Sequence, residues 1–296
     1  MIRLDAATVL LQWAVGGLFF CWVTTRGRLV GLGYGWLLRG VYALMAAGSL
    51  IAARFIGWVP VRDVASAGVL VASTIAFVSS VQRRKAGLSG QAALKAKRKA
   101  RVEEMATASL TMRDQFGRVS PEIPRAEPVN GREFSPWLDL VAPAIGLVGL
   151  VAAGLEAESS QLLAVVRTVV GAAFLGAVSD AMLLGHWYLV QPGLPRHPIE
   201  ELNTWLLRIW PVEVALLLVP TGMISALTGA VDDSWGGMLA WFWVACAITT
   251  GVLGYVTKAA LRERSYSAVM AATGLLYLAI LTAFGTDLVA RAILSG

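Results

Sequence analysis

Residues 64–82 read VASAGVLVASTIAFVSSVQ, nineteen residues with no charged side chain. A helix that crosses the hydrocarbon core of a bilayer, about 30 Å thick, needs roughly 20 mainly apolar residues. The stretch meets this requirement and has no Gly–Pro or Asn–Gly pair that would favour a turn. It therefore predicts a transmembrane helix.

The composition of the whole chain agrees with this prediction. The 296 residues are 57% hydrophobic and 15% charged, with a mean hydropathy of +0.66. A soluble domain carries about 25% charged residues. The sequence therefore predicts an all-α fold, a polytopic bundle of membrane helices, and lipid as its main surroundings.

Eight apolar runs follow one another along the chain. Three of them lie within 1–82 and five within 137–296, separated by a polar segment at 83–136. The chain is thus expected to have about eight transmembrane helices. The predicted spans are 6–24, 34–53, 64–82, 137–156, 160–190, 203–227, 236–257 and 266–289.

The basic residues indicate the orientation of these spans. With eight spans, the odd-numbered connections share one side, and they hold most of the Lys and Arg residues. Because connections rich in Lys and Arg stay in the cytoplasm, both termini are predicted on the non-cytoplasmic side of a cell inner membrane. The cytoplasmic set is Arg26, Arg28, Arg83, Arg84, Lys85, Lys95, Lys97, Arg98, Lys99, Arg101, Arg113, Arg118, Arg125, Arg132, Arg196, Lys258, Arg262 and Arg264, against Arg3, Arg54, Arg62 and Arg291 on the other side.

The polar segment 83–136 has two parts. Residues 90–105 are rich in Ala, Lys, Arg and Glu, which favour a short basic helix, whereas 111–136 contain four prolines and favour an irregular linker. The basic part, 83–101, is expected to contact anionic lipid or an acidic protein; alternatively, it only fixes the topology. Nucleic acid is not an expected partner, because the basic residues follow the pattern of membrane loops.

Two carboxylates lie deep inside predicted spans. An ionisable group within a membrane costs at least about 2.5–3.5 kcal/mol, so it needs a partner, a water-filled cavity or a function. At about 1.5 Å per residue, Asp180 in the fifth span and Glu213 in the sixth both fall near the midplane. Since short loops join neighbouring helices, we predict a proton-handling pair, Asp180 and Glu213.

A layer of aromatic and basic residues is predicted on the cytoplasmic side of this pair. His186, Trp187 and Tyr188 end the fifth span, and Pro211 is expected to kink the sixth and open a gap between the two. Such a gap could bind a quinone, which would stack on the rings and exchange protons. Alternatively, the rings form the interfacial aromatic belt and Asp180 pairs with Arg39 or Glu213. The predicted ligand-binding residues are His186, Trp187, Tyr188, Arg39, Arg208 and Trp210.

Two further charged residues within predicted spans, Arg167 and Asp287, are explained without a functional site. Arg167 is expected to reach outward to water or to meet Glu156 and Glu158. Asp287 is expected to be hydrated where the last span ends.

Catalytic and metal motifs are not found in the sequence. No metal site and no catalytic residue is predicted, because HExxH, GxSxG, Walker and Rossmann patterns are missing. A bis-His haem is not expected, since His197 falls in a predicted loop; a haem with His186 and another ligand is an alternative. The cofactor is therefore unknown, and a quinone is one candidate.

Three functions follow from these features. The first is an integral subunit of an electron-transfer or energy-conversion complex, with protein partners and a quinone or proton site between the fifth and sixth spans. The second is a proton-coupled secondary transporter. The third is a structural or assembly subunit with no site of its own. As an enzyme, the chain would at most be one subunit of a membrane oxidoreductase.

Overall fold

The computed structural model describes residues 5–111, 132–156, 160–191, 193–219, 222–231 and 235–294. Within these ranges the chain forms helices and turns, with no strand. The helices are α1 (Ala6–Thr25), α2 (Leu32–Ile56), α3 (Pro60–Gln82), α4 (Ser89–Thr111), α5 (Val141–Leu155), α6 (Gln161–Val190), α7 (His197–Leu218), α8 (Gly222–Leu227), α9 (Met238–Ala260) and α10 (Tyr266–Leu294). Short 3-10 turns occupy Arg84–Ala86 and Pro136–Leu140.

In the described part of the chain, seven helices are long and apolar enough to cross a membrane. They are α1, α2, α3, α5 with its preceding 3-10 turn, α6, α9 and α10. These helices match seven of the eight predicted spans and are compatible with a multi-pass membrane protein. The remaining predicted span, 203–227, differs from the structure: α7 begins earlier, at His197, and ends at Leu218, and α8 follows as a separate helix.

Helices α1 and α6 form the centre of the bundle. α1 packs against α2, α5 and α6, and α6 also packs against α5, α7 and α10. Helix α3 joins α2 and α5 on one side, and α9 joins α7 and α10 on the other. As a result, polar side chains in the middle of these helices, such as Gln12 on α1 and Asp180 on α6, are enclosed by other helices.

The two central helices approach each other most closely at Gly16 and Gly176. A Cβ atom at Gly16 would overlap with the carbonyl group of Ala172, and one at Gly176 would overlap with the backbone of Gly16. Small residues allow this backbone contact, which contributes much of the packing energy between helices in lipid. The contact fixes α1 relative to α6.

We expect Gly16→Ala to lower the free energy of unfolding by about 1–3 kcal/mol, because the added methyl group must push two backbones apart. Gly40→Ala is the matched control, since nothing lies within 4 Å of a Cβ atom there. The control should gain up to about 1 kcal/mol from helix propensity. Chemical unfolding in mixed micelles measures both values. Equal stability of the two variants would contradict the close packing.

A buried ion-pair network fixes the start of α1 against the start of α3. Asp5 caps α1 by accepting a hydrogen bond from the Ala7 amide (3.0 Å), and it also pairs with Arg62. Arg62 Nε donates to Asp63 Oδ1 at 2.7 Å. Arg62, which the sequence assigns to the non-cytoplasmic side, therefore has two acidic partners inside the protein.

The basic helix of the polar segment is α4. It covers the predicted 90–105 helix and extends it to Thr111. Gln91 Nε2 donates to the carbonyl oxygen of Leu29 at 3.3 Å, which holds the start of α4 against the connection between α1 and α2. Most of the predicted irregular linker, 112–131, lies outside the described residues.

Candidate functional site

A buried polar cluster forms where the starts of α1 and α6 meet the ends of α7 and α10. Its central side chain is Glu213, and we name it the Glu213 cluster. Glu213, Asp287 and Arg291 are each only 1% exposed. Glu213 interacts electrostatically with Asp287 and Arg291 on α10 and with Arg167 on α6. The members of the cluster are Gln12, Arg167, Glu213, Asp287 and Arg291.

Arg291 connects α10 to α1 within the cluster. Its Nε donates to Asp287 Oδ2 at 2.9 Å, and its Nη2 donates to Gln12 Oε1 at 2.6 Å. The small residue Gly171 on α6 leaves the space for these groups, because a Cβ atom there would meet both Gln12 and Asp287. The ion pair between Arg291 and Asp287 is therefore enclosed by three helices.

Arg167 binds the carboxyl-terminal end of α7. Its Nε donates to the carbonyl oxygen of Leu216 (2.7 Å) and its Nη2 to that of Val219 (2.5 Å). The last carbonyl groups of a helix have no partner within the helix and carry partial negative charge, so a cation is stabilising there. The expectation that Arg167 reaches outward or meets Glu156 is thus wrong; Glu158 lies outside the described residues.

Four polar atoms of the cluster are buried without a hydrogen-bond partner among the described residues. They are the two carboxyl oxygens of Glu213, Nη1 of Arg291 and Nε2 of Gln12. Buried polar groups are normally bonded, and an exception marks a strained, functional or hydrated place. Two donors and two acceptors without partners in one cluster make it the strongest candidate site in the described structure.

Asp180 lies in different surroundings. Its Oδ1 accepts a hydrogen bond from the Tyr42 hydroxyl, and its backbone carbonyl accepts one from the Tyr34 hydroxyl at 3.1 Å. Both tyrosines are on α2, and Asp180 Oδ2 has no partner among the described residues. Asp180 thus faces α2, whereas Glu213 faces α10.

Asp180 and Glu213 do not lie together in the structure as predicted. Glu213 lies at a different position along its helix from the one expected. Since α7 begins at His197, Glu213 lies about 24 Å from that start and about 8 Å from Leu218, at 1.5 Å per residue. Asp180 lies about 15 Å from the Val190 end of α6 by the same measure. The structure therefore separates the two carboxylates in depth and in the neighbours they face.

Arg39 forms a buried, bidentate salt bridge with Asp139 inside the bundle. Its Nε and Nη2 donate to the two carboxyl oxygens of Asp139, both at 2.7 Å, and its Nη1 donates to Ser80 Oγ at 3.2 Å. The Arg39 and Asp139 side chains are 1% exposed. The alternative in which Arg39 pairs with Asp180 is wrong, because Asp139 at the start of the fourth predicted span is its partner.

The three aromatic residues at the end of α6 face three different neighbours. The exposed His186 ring contacts Tyr277 of α10, with ring centroids 5.2 Å apart. Trp187 packs over Gly33 of α2, and Tyr188 donates its hydroxyl to the carbonyl oxygen of Pro195 at 2.6 Å. The described structure therefore does not direct them into one gap between α6 and α7.

The predicted residues of α7 also lie apart. The exposed Arg208 lines a cavity of about 390 Å³ with Trp205 and with His197, which is the first residue of α7 and not a loop residue. Trp210 packs on Gly251 of α9 and donates its Nε1 to the carbonyl oxygen of Ala247 at 2.8 Å. Pro211 lies within α7, as expected.

Four of the five members of the Glu213 cluster were not predicted as site residues. Asp287 and Arg291 are four residues apart, a spacing that places opposite charges on one helix face. That spacing could have identified the pair from the sequence. Gln12 has no such signal, because a single glutamine in an apolar run has no partner along the chain.

The described residues contain no group of three or more His, Cys, Asp and Glu side chains that could hold a metal ion. Comparison with protein-family models, with curated proteins and with solved structures gives no match to this chain.

Proposed function

We propose that the chain is an inner-membrane protein with eight spans, of which α7 is the sixth, and with both termini outside the cytoplasm. α7 has 22 residues, a length of about 33 Å. Hydrogen bonds link the start of α6 to the end of α7 and the start of α1 to the end of α10. These contacts support an antiparallel α7, and the basic residues of the odd-numbered connections support the orientation.

The proposed function is proton-coupled transport, with Glu213 as the group that takes up and releases the proton. The observation that carries this proposal is the burial of both Glu213 oxygens without a hydrogen-bond partner in the described structure. Ionisable groups inside membranes typically serve proton and ion pathways. Arg167 and Arg291 can balance the charge of an ionised Glu213, so that both protonation states can be held.

The interruption of α7 favours a carrier over a purely structural subunit. The helix ends at Leu218, Val219 is extended, and α8 begins at Gly222. Transporters commonly place substrate and ion sites at discontinuous helices, where free helix ends face the site. Glu213 lies little more than one turn before this interruption, beside the arginine that binds the helix end.

A second candidate is the electron-transfer or energy-conversion subunit with a quinone. Its favourable observation is the buried pair of Tyr42 and Asp180, since a phenol hydrogen-bonded to a carboxylate can pass a proton. In this function Asp180 would handle protons, and 83–101 would contact an acidic partner protein.

Chemical labelling tests the role of Glu213. Dicyclohexylcarbodiimide is an apolar reagent that adds to protonated carboxyl groups in a membrane interior. We expect it to modify Glu213 in vesicles that contain the purified protein, and to spare Asp287, which is paired with Arg291. Mass spectrometry of the peptides locates the label. An unmodified Glu213 would exclude a protonated carboxyl group there.

Transport itself is tested with a pH-sensitive dye inside the same vesicles. A panel of amino acids, sugars, organic anions and monovalent cations is added outside, and proton movement is recorded. We expect at least one solute to drive proton movement, and Glu213→Gln to abolish it. Arg264→Gln, an exposed change outside the cluster, should leave it unchanged. A wild-type protein that moves no protons with any solute of the panel would refute the carrier.

A further inference from the structure

A cleft of about 390 Å³ lies between α4 and the connection from α6 to α7. One wall is formed by Lys95 and Arg98 of α4, and the other by Trp187 and Val190 at the end of α6. Gly31, the residue that precedes α2, also lines it. The cleft thus lies beside α4, where α2 and α6 reach the cytoplasmic side of the proposed membrane.

The charge of this cleft is entirely positive. Lys95 and Arg98 are exposed, and none of the described residues that line the cleft is acidic. Arg98 donates to the carbonyl oxygen of Gly193, which holds its guanidinium group at the rim. A compact anion is the ligand chemistry that matches two cations with no acidic neighbour among the described residues that line the cleft.

The cleft continues into an apolar surface. Leu189 is 55% exposed and Val190 67% exposed at the end of α6, where α6 faces lipid in the proposed topology. The Trp187 indole also lines the cleft, with its Nε1 donating to Gln191 Oε1 at 3.0 Å. Indole rings are enriched at this depth of a membrane because they are apolar with one polar edge.

We propose that the cleft binds one anionic phospholipid. Lys95 and Arg98 bind its phosphate group, and its acyl chains lie along Leu189 and Val190. An acidic protein segment would match the two cations, but it would leave the adjoining apolar surface without a partner. The proposal does not depend on the role of Glu213, since it concerns the opposite end of α6.

Native mass spectrometry of the purified protein tests this site. Phosphatidylglycerol and phosphatidylcholine are added in turn to the detergent-solubilised chain, and the bound lipid is counted. We expect one phosphatidylglycerol to bind in preference to phosphatidylcholine. Lys95→Gln with Arg98→Gln should weaken the phosphatidylglycerol affinity about 30-fold, because each basic residue near the headgroups contributes about fivefold.

The matched control is Lys97→Gln with Lys99→Gln, which removes the same charge from exposed positions of α4 that do not line the cleft. It should retain the wild-type affinity. Glycerol phosphate, which has the headgroup chemistry without acyl chains, should not displace the lipid at equal concentration. Equal loss in both double variants would show diffuse attraction to α4, and displacement by glycerol phosphate would show a phosphate site without lipid; either result overturns the proposal.

Discussion

Replacing Arg39 with Leu is expected to lower the free energy of unfolding by about 3–5 kcal/mol, one of the two largest losses expected for this protein. The substitution leaves the Asp139 carboxylate buried, and Thr25 Oγ1, at 3.1 Å, is then its hydrogen-bond donor among the described residues. A buried charge that loses its counterion keeps its desolvation cost and loses the compensating attraction. Unfolding in mixed micelles, followed by tryptophan fluorescence, measures this change.

The double variant Arg39→Leu with Asp139→Leu separates the ion pair from other causes of instability. Removing both charges is expected to restore most of the lost stability, because an apolar pair of similar volume often replaces a buried salt bridge at little cost. Thr25 keeps its hydrogen bond to the Cys21 carbonyl (2.8 Å), and Ser80 keeps its bond to that of Phe77 (2.7 Å). A double variant as unstable as Arg39→Leu would show that Arg39 has another role.

The fold was largely predictable because lipid imposes a simple rule. A run such as 64–82 can satisfy its backbone in hydrocarbon only as a helix, and α3 covers that run. The start of α7 was harder to predict. Glu200 and Glu201 lower the local hydropathy there, and the predicted span was therefore placed after them. The predicted start near 203 omitted a full turn and a half of helix, beginning at His197.

The site was less predictable because its contacts join distant parts of the chain. The error in the start of α7 moved Glu213 to the wrong depth and next to Asp180. One alternative paired Arg39 with Asp180, although Asp139 is its partner across 100 positions of sequence. Depth along a helix can be estimated from sequence, but the direction in which a side chain faces depends on the packing of α1, α6 and α10. That packing was not available from hydropathy.

The arginines inside this bundle differ in the groups that balance their charge, and this difference concerns the candidate site. Arg39 and Arg62 each have an acidic partner at hydrogen-bond distance, and Arg291 has Asp287. Arg167 differs, because its hydrogen bonds go to carbonyl groups and its acidic neighbour is Glu213 at longer range. Glu213 is correspondingly the acid of the cluster with no hydrogen bond in the described structure. A proton on Glu213 can therefore leave without breaking an ion pair.

Asp287→Asn is expected to have a comparably large effect on the Glu213 cluster. Asparagine keeps the size of the side chain but removes the charge that neutralises Arg291, so the free energy of unfolding should fall by about 3–5 kcal/mol. Glu213 is the nearest remaining acid to Arg291 among the described residues of the cluster. Glu213 forms no hydrogen bond to Arg291 in the described structure, so it can offset only part of this loss. We therefore expect Glu213 to ionise as a longer-range partner of Arg291, and its labelling by the carbodiimide to decrease, since only the protonated acid reacts.

Two double variants test whether Glu213 responds to the loss of Asp287. Adding Glu213→Gln to Asp287→Asn removes both acids near Arg291, and the combined loss of stability should exceed the sum of the two single losses, because each acid substitutes for the other. Asp287→Leu with Arg291→Met removes the pair as a unit and should recover most of the stability while leaving Glu213 reactive. If the losses were instead additive and the labelling of Glu213 unchanged in Asp287→Asn, the two acids would act independently, and Glu213 would have no electrostatic connection to the ion pair beside it.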